Sequence, residues 1–207
     1  MRLLPSGSTA LLVELDDLDQ VLALHGALRE DPPPGVVDLV PAGRTILVVT
    51  DPAVTGLAAV AEALRRTTPR PDLATATGDP VEIPVVYDGD DLAEAASALD
   101  LEPDELVRRH TEEAWTVAFC GFAPGFGYCV GRRHQWDVPR RPSPRTRVPP
   151  GSVALAGEFT SVYPRATPGG WQLIGRTDLV VFDADQDPPA LLRPGTPVRF
   201  VDVGGDR

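Results

Sequence analysis

From Trp115 to the C-terminus no stretch of this chain sustains the 3.6-residue period of an amphipathic helix. The apolar residues come instead in short runs, at 116–120, 153–156, 171–174, 179–182 and 198–203, cut apart by glycine and proline clusters. Proline has no N–H for a sheet ladder and glycine weakens a helix, so this half can close a core only by pairing short strands around tight turns. A compact barrel is the expectation.

The first 70 residues follow another rule, alternating period-2 and period-3.6 runs. A strand is expected at 9–14, then a helix at 18–29 with Leu18, Val21, Leu22 and Leu28 on one face, stopped by Pro32-Pro33-Pro34-Gly35. Strands at 36–41 and 45–50 are joined by Ala42-Gly43 as a hairpin. Asp51-Pro52 reads as an N-cap with proline at N1, opening a helix to about Arg66 that buries Leu57, Val60, Ala61 and Leu64. With residues 81–87 as closing strand, this βαββα order is the split-βαβ pattern of ferredoxin-like domains. Residues 67–80, rich in Thr, Pro, Ala and Asp, read as linker, so domains are expected at 1–79 and 80–207. Short helices are expected at 91–99 and from Pro103 to about Glu112, the second with Asp104 and Glu105 in its first turn, as the helix dipole favours.

Charge separates the halves as well. Residues 1–105 hold 20 acids against 6 arginines, whereas 106–207 hold 10 acids against 13 arginines, within a net charge of −11. There is no lysine, which excludes a phosphate-loop lysine, a Schiff-base lysine and a Ser/Lys dyad. The acidic balance argues against nucleic acid, and no apolar run is long enough to span a bilayer. His25, His110 and His134 are far apart and the two cysteines, Cys120 and Cys129, lie in one glycine-rich segment, so neither a zinc site nor a disulfide framework is expected. The compartment expected is the cytoplasm.

Three segments are candidates for chemistry. Gly121-Phe122-Ala123-Pro124-Gly125-Phe126-Gly127-Tyr128 combines close backbone approach with aromatic side chains, as a ligand loop or as a glycine-rich barrel corner. Residues 132–147 display six arginines on a proline-stiffened path, as an anion clamp or as a solvated basic loop. Ser152, Thr160, Tyr163, Trp171 and Thr177 bring hydroxyls and aromatic surface to the strands that follow, with Trp171 open to a core role as well.

These segments resemble one family. Phe122-Ala-Pro-Gly-Phe-Gly-Tyr128, Pro139-Arg140, Pro144-Arg-Thr-Arg-Val-Pro149, Gly151-Ser-Val153, Tyr163-Pro164, Pro168-Gly-Gly-Trp171 and Ile174-Gly-Arg-Thr177 are similar to the 5-oxoprolinase B subunits, also called allophanate hydrolase subunit 1, a family that includes a sporulation histidine-kinase inhibitor. The resemblance implies an N-terminal α/β domain followed by a cyclophilin-like β-barrel, hence an α+β class. It also implies subunits A and C as partners, and ATP-dependent opening of the 5-oxoproline lactam to glutamate by a complex in which this chain alone is inactive. ATP would be bound by the assembled complex. On that basis Arg145, Arg147 and Arg176 are expected to neutralise phosphate or carboxylate. Ser152, Thr160 and Thr177 would supply hydroxyls, and Gly125, Phe126, Tyr163 and Trp171 would line the substrate. No catalytic residue is assigned. An inhibitor of a sensor kinase and another ATP-dependent amide hydrolase, such as allophanate hydrolase, stay open as alternatives. A prolyl isomerase rests on the fold implied and nothing else. Where the family usually reads Ala-Gly-Gly-Gln-Thr-Gly, this chain has Ala156-Gly157-Glu158-Phe159-Thr160-Ser161.

Overall fold

The computed structural model describes residues 1–71 and 78–204. The chain divides into two compact units, Met1–Thr75 and Ala76–Arg207; the middle of the expected linker, 72–77, lies outside the described residues.

In the first unit β1 (Arg2–Ser6), β2 (Ala10–Glu14), β3 (Val36–Pro41) and β4 (Thr45–Thr50) form an antiparallel sheet in the order β1-β2-β4-β3. Helix α1 (Leu18–Glu30) starts where Asp17 accepts the Gln20 N–H at 2.8 Å, a side-chain N-cap. Its buried face runs through Leu18, Val21, Leu24 and Leu28. Leu24 takes the place expected for Leu22: at about 100° per residue Val21, Leu24 and Leu28 fall within about 60° of one another, whereas Leu22 lies about 100° round from Val21 and is only half-buried. Leu24 and Leu28 pack with Val13, Ile46, Val48, Val60 and Leu64, and full burial of each leucine is worth roughly 1.5–3 kcal/mol.

Two expectations fail in this unit. Asp51-Pro52 does not open a helix: the Asp51 carboxylate accepts the Ala53 N–H and its carbonyl accepts from Val54 and Thr55, which closes a turn. Helix α2 (Leu57–Arg66) begins only after Gly56. Nor does a strand at 81–87 complete this sheet. Its outer place beside β2 is taken by β1, through the β1–β2 hairpin.

In the second unit β5 (Val81–Val85) pairs in parallel with β13 (Pro197–Asp202). Between them in sequence lie α3 (Leu92–Ser97), α4 (Pro103–Glu112), β6 (Trp115–Cys120), β7 (Gly127–Val130), β8 (Arg145–Val148), β9 (Ser152–Ala156), β10 (Phe159–Val162), β11 (Thr167–Gly169) and β12 (Gln172–Arg176). The main sheet runs β12-β9-β10-β7-β6-β13-β5, and β8 with β11 forms a separate ribbon. A reciprocal backbone pair between Val86 and Arg176, 2.9 Å each way, joins the two ends and nearly closes the sheet into a barrel. Residues 179–182, expected as a strand, make only an isolated bridge from Phe182 to Ala190.

Alternation sorts the barrel residues into two layers. Val117, Cys129, Val153, Leu155, Val162 and Ile174 join Ile83, Val85, Trp115 and Phe200 in one core. Ala154, Ala156, Tyr163, Trp171 and Leu173 join Ala123, Phe126 and Val148 in a second. The register shift between Val117 and Phe119 on β6 is a bulge that sets Phe119 opposite Tyr128, their rings stacked at 4.4 Å. The second layer carries the candidate site.

Candidate functional site

The glycine-rich segment is the β6–β7 connection. It folds back on itself through Gly121 N–H to Phe126 O at 3.2 Å and Phe126 N–H to Ala123 O at 3.0 Å. Gly125 sits at φ +81, where a Cβ would also run into the Phe182 ring. Phe122 holds φ +63 without that freedom and is 58% exposed. A bulky residue in the left-handed region costs roughly 1–3 kcal/mol and persists where the surrounding structure imposes it, most often at a functional site. Phe122 belongs to the motif but not to the expected site residues. Its exposure together with its backbone conformation singles it out.

Beneath Phe122 lies an aromatic wall. Phe126 packs edge-on against Phe122, Tyr128, Tyr163 and Trp171 at centroid distances of 5.1–5.3 Å, in the geometry aromatic quadrupoles favour. Phe159 extends it, edge-on to Phe119 and Tyr128 at 5.6 Å. The departure from the family pattern at this position therefore adds a ring to the wall. Burial pushes the Tyr163 hydroxyl up, reinforced by Tyr128, while Arg140, the Trp171 backbone N–H and Arg145 pull it back. Burial likewise pushes Tyr128 up against the pull of Arg140. Both hydroxyls stay protonated as hydrogen-bond donors at neutral pH.

The arginine run separates into two sets. Arg145 grips the buried carboxylate of Asp91 with two bonds, 2.7 and 2.9 Å, and Arg141 binds the same carboxylate. The Leu173 N–H adds a bond of 2.7 Å. Burial pushes the Asp91 carboxyl up, but Arg145, the Leu173 N–H and Arg141 outweigh it and hold it below its ordinary range. Arg145, expected to bind a ligand anion, is thus engaged internally. Arg147 and Arg140 are exposed and make no ion pair among the described residues. Arg176 is exposed and pairs with Asp88 at 2.9 Å.

The expected hydroxyls lie in the framework. Thr160, fully buried, bonds His110 Nε2 at 2.9 Å and Ala154 O at 3.1 Å. Thr177 accepts the Leu179 N–H at 3.2 Å, while its own N–H bonds Gly151 O at 2.9 Å. Ser152 is buried on β9, its carbonyl accepting from Tyr163 N–H at 2.9 Å. Of the ten expected residues, Phe126, Tyr163 and Trp171 form the wall, with Gly125 shaping its loop.

Sequence reasoning missed two buried polar centres. His110 is surrounded by Tyr87, Trp115, Trp136 and Phe200. Burial lowers its pKa to about 3. Glu113 accepts N–H bonds from Ala114, Arg132, Arg133, His134 and the Trp136 indole at 2.8–3.2 Å. It approaches Gly131 so closely that a Cβ there would lie 2.6 Å from its side chain. Burial pushes this carboxyl up and the N–H bonds overcome it, leaving it below its ordinary range. Glu113 and the Arg132 and Arg133 N–H groups it accepts from are 19 and 20 residues apart, so no local pattern in the sequence joined them.

The chain has no lysine to meet a phosphate, and Arg141 and Arg145 are held by Asp91, which leaves Arg140 and Arg147 as the exposed cations of residues 140–147. Among the described residues no cluster of His, Cys, Asp or Glu is placed to hold a metal ion, and no helix is long and apolar enough to cross a membrane. Cys129 is fully buried and its thiol pushed up by burial, which suits a small apolar residue.

Phe126, Tyr163 and Trp171 are themselves buried, 1%, 1% and 4% exposed, so the wall is a packed core that backs the exposed Phe122 ring, with Arg140 as the cation acting on both its tyrosines. An exposed ring and an exposed guanidinium suit a small ligand with an apolar body and an anionic end. The family model for the carboxyltransferase domain, subdomain C and D, matches residues 1–192. The 5-oxoprolinase B subunit of Escherichia coli O157:H7 is 41% identical over 203 residues, covering 94% of this chain and 93% of that protein. The B subunit from Bacillus subtilis strain 168 is 39% identical over 198 residues, covering 88% and 82%. Among solved structures, the crystal structure of TTHA0988 superposes with a TM-score of 0.76 at 35% identity, covering 95% of this chain but 41% of that one. The chain belongs to the family of the carboxyltransferase domain, subdomain C and D, together with the 5-oxoprolinase B subunits it matches nearly end to end.

Proposed function

We propose that this chain is the B subunit of an ATP-dependent 5-oxoprolinase that opens the 5-oxoproline lactam to L-glutamate together with subunits A and C. The observation that carries the reading is the 41% identity to a 5-oxoprolinase B subunit along 94% of the chain. In this reading the first unit is a ferredoxin-like α/β domain ending near residue 79, the second a cyclophilin-like barrel, and the protein is cytoplasmic. The coverage of only 41% of TTHA0988 supports a partner, since there a homologous segment shares a polypeptide with further sequence.

The second unit contributes binding and orientation. The exposed Phe122 ring, backed by the buried rings of Phe126, Tyr163 and Trp171, offers the lactam body an apolar face, and Arg147 with Arg140 neutralises the carboxylate. Arg145, Ser152, Thr160 and Thr177 hold the frame, and Arg176 lies outside this wall. ATP is bound elsewhere in the assembled complex, and the chain alone is inactive. The test is 5-oxoproline-dependent ATP hydrolysis with glutamate release, for the chain alone and with its A and C partners. Turnover only in the mixture is the expected result; none in a folded, associated mixture refutes the reading.

A further inference from the structure

We propose that Asp91 is the positioning residue of the candidate site, setting the arginine and aromatic walls against each other from a buried point behind them. Its side chain is 2% exposed, and it bonds three groups that each lie within two positions of a site residue in the chain. Arg141 follows Arg140, Arg145 precedes Arg147 by two positions on β8, and Leu173 follows Trp171 by two. One carboxylate thus joins the arginine loop, the β8–β11 ribbon and β12.

The same segments are also tied by the β8–β11 pairing, which sets Arg145 opposite Gly169, by Arg141 N–H to Gly170 O at 2.8 Å and by Gln172 Nε2 to Pro139 O at 3.2 Å. None of these carries charge, and none holds the Arg145 guanidinium. Asp90, 3.5 Å from Arg145, and Glu94, 3.8 Å from Arg141, are 81% and 70% exposed and cannot replace a desolvated bidentate partner. With the Arg141 and Arg145 guanidinium groups engaged by Asp91, the neighbouring Arg140 and Arg147 are the exposed cations of residues 140–147 and make no ion pair among the described residues. Loss of the grip would move those charges relative to Trp171 without removing any group that touches substrate.

The kinetic part of the test rests on the proposed 5-oxoprolinase reading; a second part does not. In the complex assembled with its A and C subunits, Asp91→Asn is expected to raise KM for 5-oxoproline at least tenfold with kcat reduced less than threefold. Arg145→Gln, which leaves Asp91 two of its partners, should raise KM about threefold and serves if Asp91→Asn does not fold. On the isolated chain, trypsin should cut after Arg145 or Arg147 at least tenfold faster in Asp91→Asn, with cleavage after Arg108 unchanged. Faster cleavage with unchanged KM would make Asp91 a structural anchor only and overturn the proposal, as would no change in either measurement. An inactive wild-type complex would refute the 5-oxoprolinase reading; cleavage would then test the grip of Asp91 on the arginine segment, and unchanged cleavage would overturn the proposal.

Discussion

His110 Nε2 lies 2.9 Å from Thr160 Oγ1, and the direction of that bond is set by the threonine's other contact. Thr160 donates its single proton to Ala154 O, so it accepts from a protonated Nε2, and Nδ1 is left to accept from the Tyr87 hydroxyl at 2.7 Å. The neutral ring cross-links α4, β10 and the end of β5 inside the barrel. Thr160→Val is expected to leave the ring N–H unpaired and to cost about 1–3 kcal/mol, checked by urea unfolding.

The same ring makes stability depend on pH. Its pKa is about 3 in the fold and about 6.5 in the unfolded chain, so the unfolded state binds the extra proton between those values. Stability from this group is complete above pH 6.5 and declines as pH falls, by at most about 1.4 kcal/mol per unit. His25 in the first unit, lowered to about 4 by burial and Arg29, acts in the same direction. Asp91 and Glu113, with depressed pKa values, add their losses only at lower pH. Unfolding midpoints at pH 7.5 and 5.5 test this, and equal stabilities would contradict a buried neutral His110.

Glu113 has no cationic side-chain partner among its bonds, only N–H donors. Glu113→Gln turns an NH2 group toward those donors and should cost roughly 2–4 kcal/mol, with the loss visible in thermal unfolding of the second unit.

Phe122 combines strain with exposure, so its two effects can be separated. Phe122→Gly relieves the left-handed backbone at the cost of a more flexible unfolded chain, and stability should change by less than about 1 kcal/mol. The kcat/KM of the assembled complex should fall at least tenfold. Wild-type kcat/KM would remove Phe122 from the site.

Arg145 and Arg147, two residues apart, should give opposite phenotypes. Arg145→Ala strips two bonds from a buried carboxylate and is expected to destabilise by about 2–4 kcal/mol. Arg147→Ala, exposed and without an ion pair, should leave stability within about 0.5 kcal/mol and raise KM tenfold. The pair is checked by unfolding and steady-state kinetics on the same preparations.

Elements carried by local pattern were legible in the chain. The expected strands at 36–41 and 45–50 match β3 and β4, and the helix opening at Pro103 matches α4, because alternation, turn residues and helix-start signals act within a few residues. The short strands β1, β7, β8, β10 and β11 were missed, since runs of three to five residues are too short to display alternation by themselves. That Phe126, Tyr163 and Trp171 pack together accords with the glycine-rich aromatic segments read from the chain, since large rings bury themselves where glycines let the backbone approach.

The arginine contacts were not legible in the chain, and they mark the boundary between the two kinds of information. By itself the sequence determined a two-part chain, strands and no helices after Trp115, no lysine chemistry, and an aromatic, arginine-rich segment as the place to look. Only the tertiary structure decided that β5 leaves the first unit's sheet to pair with β13, that Asp91 engages Arg141 and Arg145 while Arg140 and Arg147 face solvent, and that Thr160 serves His110. The physical reason is common to all three. A charge, a hydroxyl or an edge strand has many partners of equal local merit, and burial selects among them by desolvation, a property of the whole fold rather than of neighbours along the chain.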